Sequence, residues 1–341
     1  MTNPHCDVWN LRESDYPYSE TPDEQLRFLL GYAILAPSGH NSQPWRFRIE
    51  DGSILLFVDP GRGLPVVDPE GRELAISCGA ALEHLLIAVR HFGNAGRFAL
   101  FPEPENRTLL ARIDPGEPAE APESVHRCFA AITRRRTNRK TYRDERLPAM
   151  ILDDLAAAVA GAGVRLHVAS DDVERGGIAG LVAEADRIQQ ADSAYRRELA
   201  AWMRSNVNPG SDGTPGYALG IGTLPSLVSP LLVSLVDMGD RQAAGDRETA
   251  VSAPTLVLLE TGADDSVAWL SAGRALARLL LIARSHGVWA SYLNQAVEVP
   301  ETRERLRQVA AVSGYPQLLI RLGYADDVPP TPRRTVDEVL G

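Results

Sequence analysis

Polar side chains crowd a short segment between two prolines, residues 36–47, and could bind a ligand. Pro37 and Pro44 flank hydroxyl, imidazole and amide groups on Ser38, His40, Asn41, Ser42 and Gln43. Each proline restricts the residue before it to extended or turn geometry, so we expect a stiff loop. A helix is predicted before the loop and a strand after it, an arrangement typical of ligand sites. The alternative is a hydrophilic turn whose side chains bond to their own backbone.

A run of basic residues, 133–143, interrupts a chain whose formal net charge is -10. Arginines alternate here with Thr137 and Asn138, so fork-like donors and a hydroxyl could together bind a phosphate. Alternatively, the first arginines complement the C-terminal dipole of the preceding helix. Nucleic-acid binding would need a wider basic field than this acidic chain offers. A second pair, Arg333 and Arg334, lies near the C-terminus, where charged residues are usually solvated.

No other catalytic or metal-binding motif is visible. The sequence has no phosphate loop ending in Gly-Lys-Ser/Thr, no His-Glu-x-x-His and no Gly-x-Ser-x-Gly. The three cysteines, Cys6, Cys78 and Cys128, are widely spaced and not at metal-ligand spacing, which favours a reducing compartment. No metal is predicted. The scattered histidines, His84 among them, are interpreted as structural, and Glu73 has no evident partner in the sequence.

Composition predicts a soluble cytoplasmic protein. Apolar residues make up 44% of the chain and charged residues 23%, as in globular proteins. The 341 residues suffice for one large or two ordinary domains. The N-terminus shows no basic region followed by an apolar run, so no signal peptide is predicted. The longest apolar run, 227–236, contains Pro230 and is too short to span a bilayer, so no membrane association is expected.

Two helical segments, 78–93 and 272–287, indicate an internal duplication. At an offset of 194 positions, Gly79, Ala81, Leu82, Leu85, Leu86, Arg90 and Gly93 have identical partners in Gly273, Ala275, Leu276, Leu279, Leu280, Arg284 and Gly287. Apolar residues recur at helical spacing in both, and each final glycine could form a left-handed cap. Shared glycines and arginines are less expected by chance than shared leucines, so we infer that the chain contains two related halves.

The remaining elements fit two halves of α+β class. Thr21, Pro22 and Glu24 form a helix start with an N-cap threonine and a capping glutamate. Strands are predicted in the first half at 45–50, 54–58 and 109–113, and a Pro/Glu-rich linker follows at 114–123. In the second half, helices are predicted near 125–132 and after Pro148, and strands at 164–169, 255–260 and 317–322. Helices and strands in mixed order are typical of α+β folds.

An insertion of the second half, about 171–248, separates elements that the halves share. It opens with a helical pattern over 178–203 and continues into a glycine-rich stretch, 206–216, before an apolar segment. Long insertions of this kind are often active-site lids. A disordered spacer is the alternative.

Several motifs resemble those of the nitroreductase superfamily of FMN proteins. Residues 36–45 resemble its Pro-Ser-x-x-Asn-x-Gln-Pro-Trp signature, and 135–139 resemble its Arg-Arg-Ser-x-Arg phosphate motif, with Thr137 in place of serine. Together with Asp68-Pro-Glu-Gly-Arg-Glu-Leu and Pro332-Arg-Arg, they look like the Acg-type branch. The resemblance implies a nitroreductase-like fold in which two fused halves mimic a homodimer. The halves would span 1–120, with the loop, and 121–341, with the phosphate motif and the insertion.

The resemblance also implies one FMN per chain, bound between the halves. Arg135, Thr137 and Arg333 or Arg334 would hold its phosphate with Arg136 beside them, and Arg139 would lie near flavin N1 and the C2 carbonyl. The loop of the first half would contribute Pro37, Ser38, Gly39, Asn41 and Gln43. Tyr292 and Leu293 occupy the position whose backbone usually faces flavin N5. No catalytic side chain is expected, because hydride moves through the flavin.

The implied function is an FMN-dependent oxidoreductase. It would carry hydride from NAD(P)H, and thus two electrons, to a nitro, quinone-like or other electron-poor small molecule. An alternative is an FMN-binding or FMN-sequestering protein whose insertion covers the flavin and permits little turnover. A third is anion or nucleic-acid binding by the arginines, which the acidic charge disfavours. We expect small-molecule partners only, and either a monomeric pseudo-dimer or a weak homodimer.

Overall fold

Two four-stranded antiparallel sheets share one strand order. The structure is a computed structural model that describes residues 4–341, so the first three residues of the N-terminus inspected for a signal peptide lie outside it. The sheet of the first half has the order β1-β2-β4-β3. Its strands are β1 Trp45–Glu50, β2 Ser53–Val58, β3 Arg97–Leu100 and β4 Leu109–Asp114.

The second half repeats this arrangement around its insertion. Its sheet has the order β5-β8-β10-β9, so in both sheets the fourth strand along the chain lies between the second and the third. The strands are β5 Arg165–Val168, β8 Thr255–Thr261, β9 Trp289–Tyr292 and β10 Tyr315–Gly323. Two short parallel strands, β6 Met203–Arg204 and β7 Thr214–Pro215, belong to the insertion. The shared order supports the duplication seen in the sequence.

The two duplicated helices pack against each other at the centre of the molecule. They are α3 Arg72–His91 and α11 Ser266–Ser285, and each connects the second and third strands of its sheet. Their equivalent glycines meet: a Cβ on Gly79 would overlap the Leu270 carbonyl, and one on Gly273 would overlap the Ile76 carbonyl. Gly93 and Gly287 follow the helices with φ of 88° and 77°, so the predicted left-handed caps are confirmed.

Shorter helices surround this pair. They are α1 Pro4–Asp7, α2 Pro22–Ala33, α4 Glu123–Ile132, α5 Ala149–Ala160, α12 Gln295–Glu298, α13 Pro300–Val309 and α14 Val336–Val339. Single 3₁₀ turns lie at Val8–Asn10, Glu13–Asp15, Gly39–Asn41, Pro60–Arg62 and Gly216–Leu219. The capping box predicted at the start of α2 is present, since Thr21 and Glu24 bond to each other's backbone. One apolar core, which includes Leu30, Leu82 and Leu279, extends through both halves.

The insertion is folded, so a disordered spacer does not describe it. It forms α6 Asp172–Ala191, α7 Ser193–Ala201, α8 Thr223–Ser226, α9 Ser229–Leu235 and α10 Gly239–Val251. Helices α6 and α10 pack together, and a second apolar cluster under α6 includes Ile178, Val182 and Leu258. The stretch between α7 and α8 has little regular structure and runs toward the first half.

The C-terminal segment returns from the second half to the first. After β10 it passes Trp9, whose indole Nε1 donates to the Thr331 carbonyl at 2.8 Å. It then pairs with the first sheet through a parallel bridge between Leu340 and Phe47. Arg333 and Arg334 lie between these two contacts and are buried, so the expectation that charges this close to the terminus are solvated is wrong for them.

The helices α3 and α11 are long and apolar enough to cross a membrane by length and composition. Most of each is buried inside the protein, where the two pack against each other. Core packing therefore accounts for their apolar composition.

Candidate functional site

The loop between Pro37 and Pro44 has an unusual backbone. His40, Asn41 and Gln43 all adopt positive φ, at 50°, 59° and 52°. Such values are uncommon for residues other than glycine, and three in one loop indicate a conformation that the surrounding structure imposes. Ser38 Oγ accepts a hydrogen bond from the Gln43 backbone N–H at 2.9 Å, which closes the loop on itself. The loop is therefore stiff, as predicted, and presents Gly39 and Asn41 at its tip.

The C-terminal segment brings an arginine to this loop. Arg333 Nη1 donates to Asn41 Oδ1 at 2.7 Å and to Thr331 Oγ1 at 2.7 Å. Asn41 Nδ2 in turn donates to the Pro332 carbonyl at 3.0 Å. Arg334 points elsewhere: its backbone N–H donates to Gln43 Oε1 at 2.8 Å and its Nη1 to the Gln43 carbonyl at 3.2 Å. Of the two C-terminal arginines, Arg334 thus anchors the loop backbone.

Three arginines form a group, which we call the arginine cluster: Arg135 and Arg333, which are buried, and Arg136, which is half-buried. Arg136 stacks on the Trp9 ring with its Cζ 3.8 Å from the centroid, and Arg333 lies 5.0 Å from the same centroid. Burial, followed by the charges of Arg135 and Arg136, lowers the pKa of Arg333 well below its usual range. Burial and then Arg135 lower the pKa of Arg136 to about 10. None of the three forms an ion pair with a carboxylate of residues 4–341.

Several buried polar atoms near the arginine cluster have no hydrogen-bond partner within the described chain. They are Arg135 Nε, Arg333 Nε, His84 Nε2, His40 Nε2 and Tyr292 Oη. Arg135, Arg139 and Arg333 all act on Tyr292, since their charges oppose the rise in its pKa that burial causes. Buried polar groups are normally bonded, so unsatisfied donors beside uncompensated cations fit a missing anion. The residues present therefore suit the phosphate of a flavin mononucleotide.

The predicted phosphate motif is fixed to the second sheet. Thr137 forms a parallel bridge with Ala290 of β9, and the Asn138 backbone N–H donates to the Ala290 carbonyl at 3.0 Å. Tyr292 ends β9, and the Leu293 backbone N–H donates to the Leu319 carbonyl at 2.9 Å. Arg135, Thr137, Tyr292 and Leu293 thus share one edge of the second half. Arg139 is exposed, and its Nη1 donates to the Ala218 carbonyl at 3.3 Å.

The insertion closes over the same loop. Asn41 Nδ2 donates to the Gly213 carbonyl at 2.8 Å, and Gln43 Nε2 donates to the Ser211 carbonyl at 2.8 Å. Asp212 forms ion pairs with Arg62 of the first half and, at 2.8 Å, with Arg204 of the insertion. Residues 211–218 therefore lie between the loop of the first half and Arg139 of the second.

The Glu198 carboxylate gives the insertion a second attachment to the first half. It accepts hydrogen bonds from the backbone N–H groups of Val66 and Val67, both at 2.9 Å. Glu198 belongs to α7, whereas Asp212 lies in the irregular stretch that follows. The insertion is thus held to the first half at two separate points.

A group of acids, which we call the carboxyl cluster, adjoins the loop: Glu73 and Asp186, which are buried, and Glu298 and Asp246, which are half-buried. A Cβ on Gly39 would lie 3.3 Å from Glu73 Oε2, and Asn294 Nδ2 donates to Glu73 Oε1 at 3.5 Å. Burial and then Glu298 raise the pKa of Glu73 to about 8, although Arg72, whose Nη2 lies 3.2 Å from Glu73 Oε1, opposes the rise. Burial and then Asp246 raise the pKa of Asp186 to about 8. Gln295 Nε2 bridges Asp186 and Asp246 at 3.2 and 3.1 Å.

Reasoning from the sequence missed several of these residues. His84 was interpreted as structural, yet burial and then Arg135 lower the pKa of this fully buried imidazole to about 3. Its Nδ1 lies 2.9 Å from the Ala80 carbonyl, which leaves Nε2 as the unpartnered atom. Neither Trp9 nor Glu73 lies at a spacing from other residues that would indicate a functional site. A histidine inside an otherwise apolar helix was the one clue available.

Comparison with known proteins identifies the family. No family model matches the chain. The chain is 35% identical over 336 residues to "Putative NAD(P)H nitroreductase Rv3131" of Mycobacterium tuberculosis, covering 94% of this chain and 92% of that protein. It is 32% identical over 334 residues to the acg protein of the same organism, which is also named an NAD(P)H nitroreductase, with 95% and 97% covered. A third relative is PigM of a Serratia species, named a probable NAD(P)H nitroreductase, at 23% identity over 343 residues with 94% of each chain covered.

Similarity to solved structures is weaker. The FMN-dependent nitroreductase NfnB from Mycobacterium smegmatis aligns with 62% of this chain and 96% of its own, at a TM-score of 0.41 and 16% identity. That similarity is too low to support a conclusion by itself. The sequence identity to Rv3131 and to acg, by contrast, extends over nearly the full length of all three chains. The two sheets of one strand order agree with the predicted α+β fold of two fused halves. The identity confirms the resemblance seen in the motifs: the chain belongs to the Acg-type nitroreductase family.

Proposed function

We propose that this chain is an FMN-dependent oxidoreductase that uses NAD(P)H to reduce nitro, quinone-like or other electron-poor small molecules. The observation that carries the proposal is the arginine cluster, in which the buried Arg135 and Arg333 and the half-buried Arg136 have no carboxylate partner among residues 4–341. Arginines bind phosphate through paired, charge-assisted hydrogen bonds, so a phosphate dianion would neutralise the cluster. The names of the relatives, as NAD(P)H nitroreductases, support the same proposal.

Residues of both halves would hold the cofactor. Arg135, Thr137 and Arg333 would bind the phosphate, with Arg136 beside them and the unpartnered Nε2 of His84 available as a further contact. The loop would contribute Pro37, Ser38, Gly39, Asn41 and Gln43, and the second half would contribute Tyr292, Leu293 and Arg139. A fixed guanidinium such as Arg139 stabilises negative charge on a neighbouring group. When bound, FMN supplies the two-electron redox chemistry, so no catalytic side chain is assigned.

The proposed domain organisation follows from the distribution of these residues over the two halves. The halves would span 1–120 and 121–341, and the linker between β4 and α4 contains the boundary. Because the two motifs lie in different halves of one chain, a single chain would form a complete site as a pseudo-dimer in the cytoplasm, either alone or within a weak homodimer.

An absorbance experiment tests the proposal. Purified protein is incubated with FMN, desalted, and then mixed with NADPH or NADH under anaerobic conditions. We expect flavin to remain with the protein after desalting and its yellow absorbance to bleach on addition of the nicotinamide. Protein that retains no flavin from an excess of FMN would refute FMN binding.

The insertion favours a second candidate function, an FMN-sequestering protein with little turnover. The hydrogen bonds from Asn41 and Gln43 to 211–213 place the insertion on the loop that would contact the flavin. A nicotinamide would have to displace this segment to reach the ring. Flavin that is retained but not bleached by either nicotinamide, yet is reduced by dithionite, would favour sequestration over the oxidoreductase.

A further inference from the structure

The insertion carries an exposed apolar surface that the proposed function does not use. We call it the uncharged insertion surface; it consists of α8, α9 and the residues beside them, 223–236. Its large apolar side chains are Leu224, Leu227, Val228, Leu231, Leu232, Leu235 and Val236. The five leucines are between 51% and 78% exposed. No residue of α9 is buried, so the helix contributes almost nothing to the core.

The extent of this surface is unusual for a protein that remains alone in water. The seven side chains together expose on the order of 700 Å², whereas the largest apolar patch of a typical monomer is about 300–600 Å². An interface of standard size buries about 600–1,000 Å² on each partner. The uncharged insertion surface is therefore large enough to support a stable complex by itself.

Charge indicates which partner covers it. Residues 213–236 contain no charged side chain, although 23% of the whole chain is charged. Two copies of a chain with a net charge of -10 repel each other over most of their surfaces. At this surface they can meet without burying a charge or placing like charges side by side. Interfaces of homodimers are also more hydrophobic than those of transient complexes, which matches a stretch without charge.

A membrane fits the same surface less well. Helices that lie on membranes usually carry lysine or arginine on their polar face, which attracts anionic lipids. The stretch 213–236 has none, and Asp212 and Asp237 flank it directly. Acidic flanks on an acidic chain would repel an anionic bilayer.

We propose that the uncharged insertion surface is the contact between two copies of this chain in a symmetric homodimer. A two-fold arrangement lets the same patch serve both partners and closes the assembly at two chains. Leu231 and Leu235 of one α9 would pack against the same helix of the partner. The contact would also restrain the insertion, because 211–213, just before α8 in the chain, bond to the loop of the first half.

Molar mass in solution tests the proposal on the full chain. We expect the mass measured by sedimentation equilibrium to rise from 37.0 kDa toward twice that value between about 1 and 100 µM protein. The double variant Leu231→Glu/Leu235→Glu is expected to remain at the monomer mass, because dimerisation would bury four carboxylates. Val173→Glu is the matched control: it charges an equally exposed valine on α6, outside the surface, and should dimerise like the wild type.

Three results would overturn the proposal. A wild-type mass of 37.0 kDa at the highest concentration would exclude the dimer. A double variant as dimeric as the wild type would place the contact elsewhere. Wild-type protein that stays monomeric yet floats with phosphatidylcholine/phosphatidylglycerol vesicles would assign the surface to a membrane. If the charged variant does not fold, Leu235→Cys in a Cys6→Ser background provides the second test, and absence of a disulfide-linked dimer under mild oxidation would contradict the contact.

Discussion

Buried charge at the candidate site is divided between two clusters of opposite sign. In the arginine cluster, burial and then the charges of Arg135 and Arg136 lower the pKa of Arg333, and none of the three cations forms an ion pair with a carboxylate of residues 4–341. In the carboxyl cluster, burial and then a neighbouring acid raise the pKa of Glu73 and that of Asp186 to about 8. Uncompensated buried charge costs stability, and that cost would be removed by a bound anion in one cluster and by bound protons in the other. Each cluster leads to a prediction.

Replacing Arg135 by methionine should separate cofactor binding from stability. The substitution removes a charge-assisted contact worth about 1.5–3 kcal/mol, so we expect the FMN dissociation constant to rise by about 10- to 100-fold. In the FMN-free protein, removal of a buried cation without a carboxylate partner offsets the loss of the hydrogen bond from Arg135 Nη2 to the Leu35 carbonyl at 3.0 Å, so we expect the unfolding free energy to change little. Fluorescence titration with FMN and thermal denaturation of the FMN-free protein measure the two effects.

Arg334→Met serves as the matched control for that substitution. Its guanidinium donates to the carbonyls of Gln43 and Trp45, so its loss should destabilise the FMN-free protein. Its effect on FMN affinity should be smaller than that of Arg135→Met. If both variants lose affinity equally and are equally unstable, the arginine cluster has no special relation to the phosphate.

Replacing Glu73 by glutamine should flatten the pH dependence of stability. An unfolded glutamate titrates near pH 4.3, whereas burial beside Glu298 raises the pKa of Glu73 to about 8 in the folded protein. Between these values the folded state binds more protons than the unfolded state, so the unfolding free energy falls as the pH rises from about 4.3 to about 8. Removal of the shared proton should reduce this fall. Urea denaturation of the FMN-free protein at several pH values in this interval measures it.

Glu304→Gln is the control for the pH experiment. Glu304 is exposed, and hydrogen bonds from Arg307 and Gln308 lower its pKa, so it is ionised in both states across the interval. Its replacement should leave the slope unchanged. A Glu73→Gln variant with the wild-type slope would show that Glu73 is ionised in the folded protein.

At the scale of elements, the crossing of α3 and α11 joins the two halves. The glycines at equivalent positions, Gly79 and Gly273, allow the two backbones to approach at a distance that no side chain would permit. Glu83 of α3 is fully buried and bonds to Arg274 Nε at 2.8 Å and to Arg278 Nε at 2.6 Å. The contact therefore depends on two small residues for its distance and on one buried acid for its charge balance.

Gly273→Ala should destabilise the protein by about 1–3 kcal/mol or more, because the added Cβ overlaps the Ile76 carbonyl and the helices must move apart. Gly180→Ala on α6 is the matched control, since nothing lies within 4 Å of its Cβ position. An exposed helical glycine replaced by alanine should instead stabilise the protein by up to about 1 kcal/mol. Urea denaturation of both variants measures the two changes in unfolding free energy, which we expect to have opposite signs. Equal changes would contradict the close approach of the two helices.

The sequence predicted elements where a local signal was long or specific. The helix start at Thr21 and the strand at 45–50 were predicted correctly, since a capping box and a strand of six residues carry enough pattern. Strands β3 and β9 were not predicted, although β5, which also has four residues, was. The duplication was visible because Gly79 and Gly273 recur at a fixed offset.

The candidate site was predictable only in part, for a related reason. The loop and the phosphate motif each concentrate several chemical groups in a few residues, so they stand out locally. Glu73, His84 and Trp9 are single residues, and only the packing of α3 and the C-terminal segment brings them to the site. The apolar helix α9 was visible as a run of leucines, but the exposure of its outer face depends on the fold.

At the scale of the whole molecule, the two halves have the same topology but are not interchangeable. The position 194 residues after Glu83 is Ala277, so the acid has no counterpart in the second half. Two first halves would bury two glutamates without arginines, and two second halves would bury arginines without an acid. Burial of unpaired charge is strongly unfavourable, so Glu83 and its arginine partners favour the packing of a first half against a second half over the packing of two identical halves. The insertion, present in the second half alone, then lies over a loop of the first.

Loosening the insertion should expose the candidate site. Asp212 and Glu198 are its two charged attachments to the first half, through Arg62 and through the backbone of Val66 and Val67. Hydrogen bonds to charged groups contribute about 1.5–3 kcal/mol each, so loss of either should make opening about 10-fold or more frequent. For the FMN-loaded Asp212→Asn/Glu198→Gln variant we therefore expect FMN release and flavin bleaching by NADPH to accelerate together by at least that factor. Stopped-flow absorbance measures the bleaching, and fluorescence recovery on dilution measures the release. The control is Glu184→Gln, which breaks the exposed ion pair with Arg305 within the second half and should change neither rate. Unchanged rates in the double variant would show that the insertion does not gate the site.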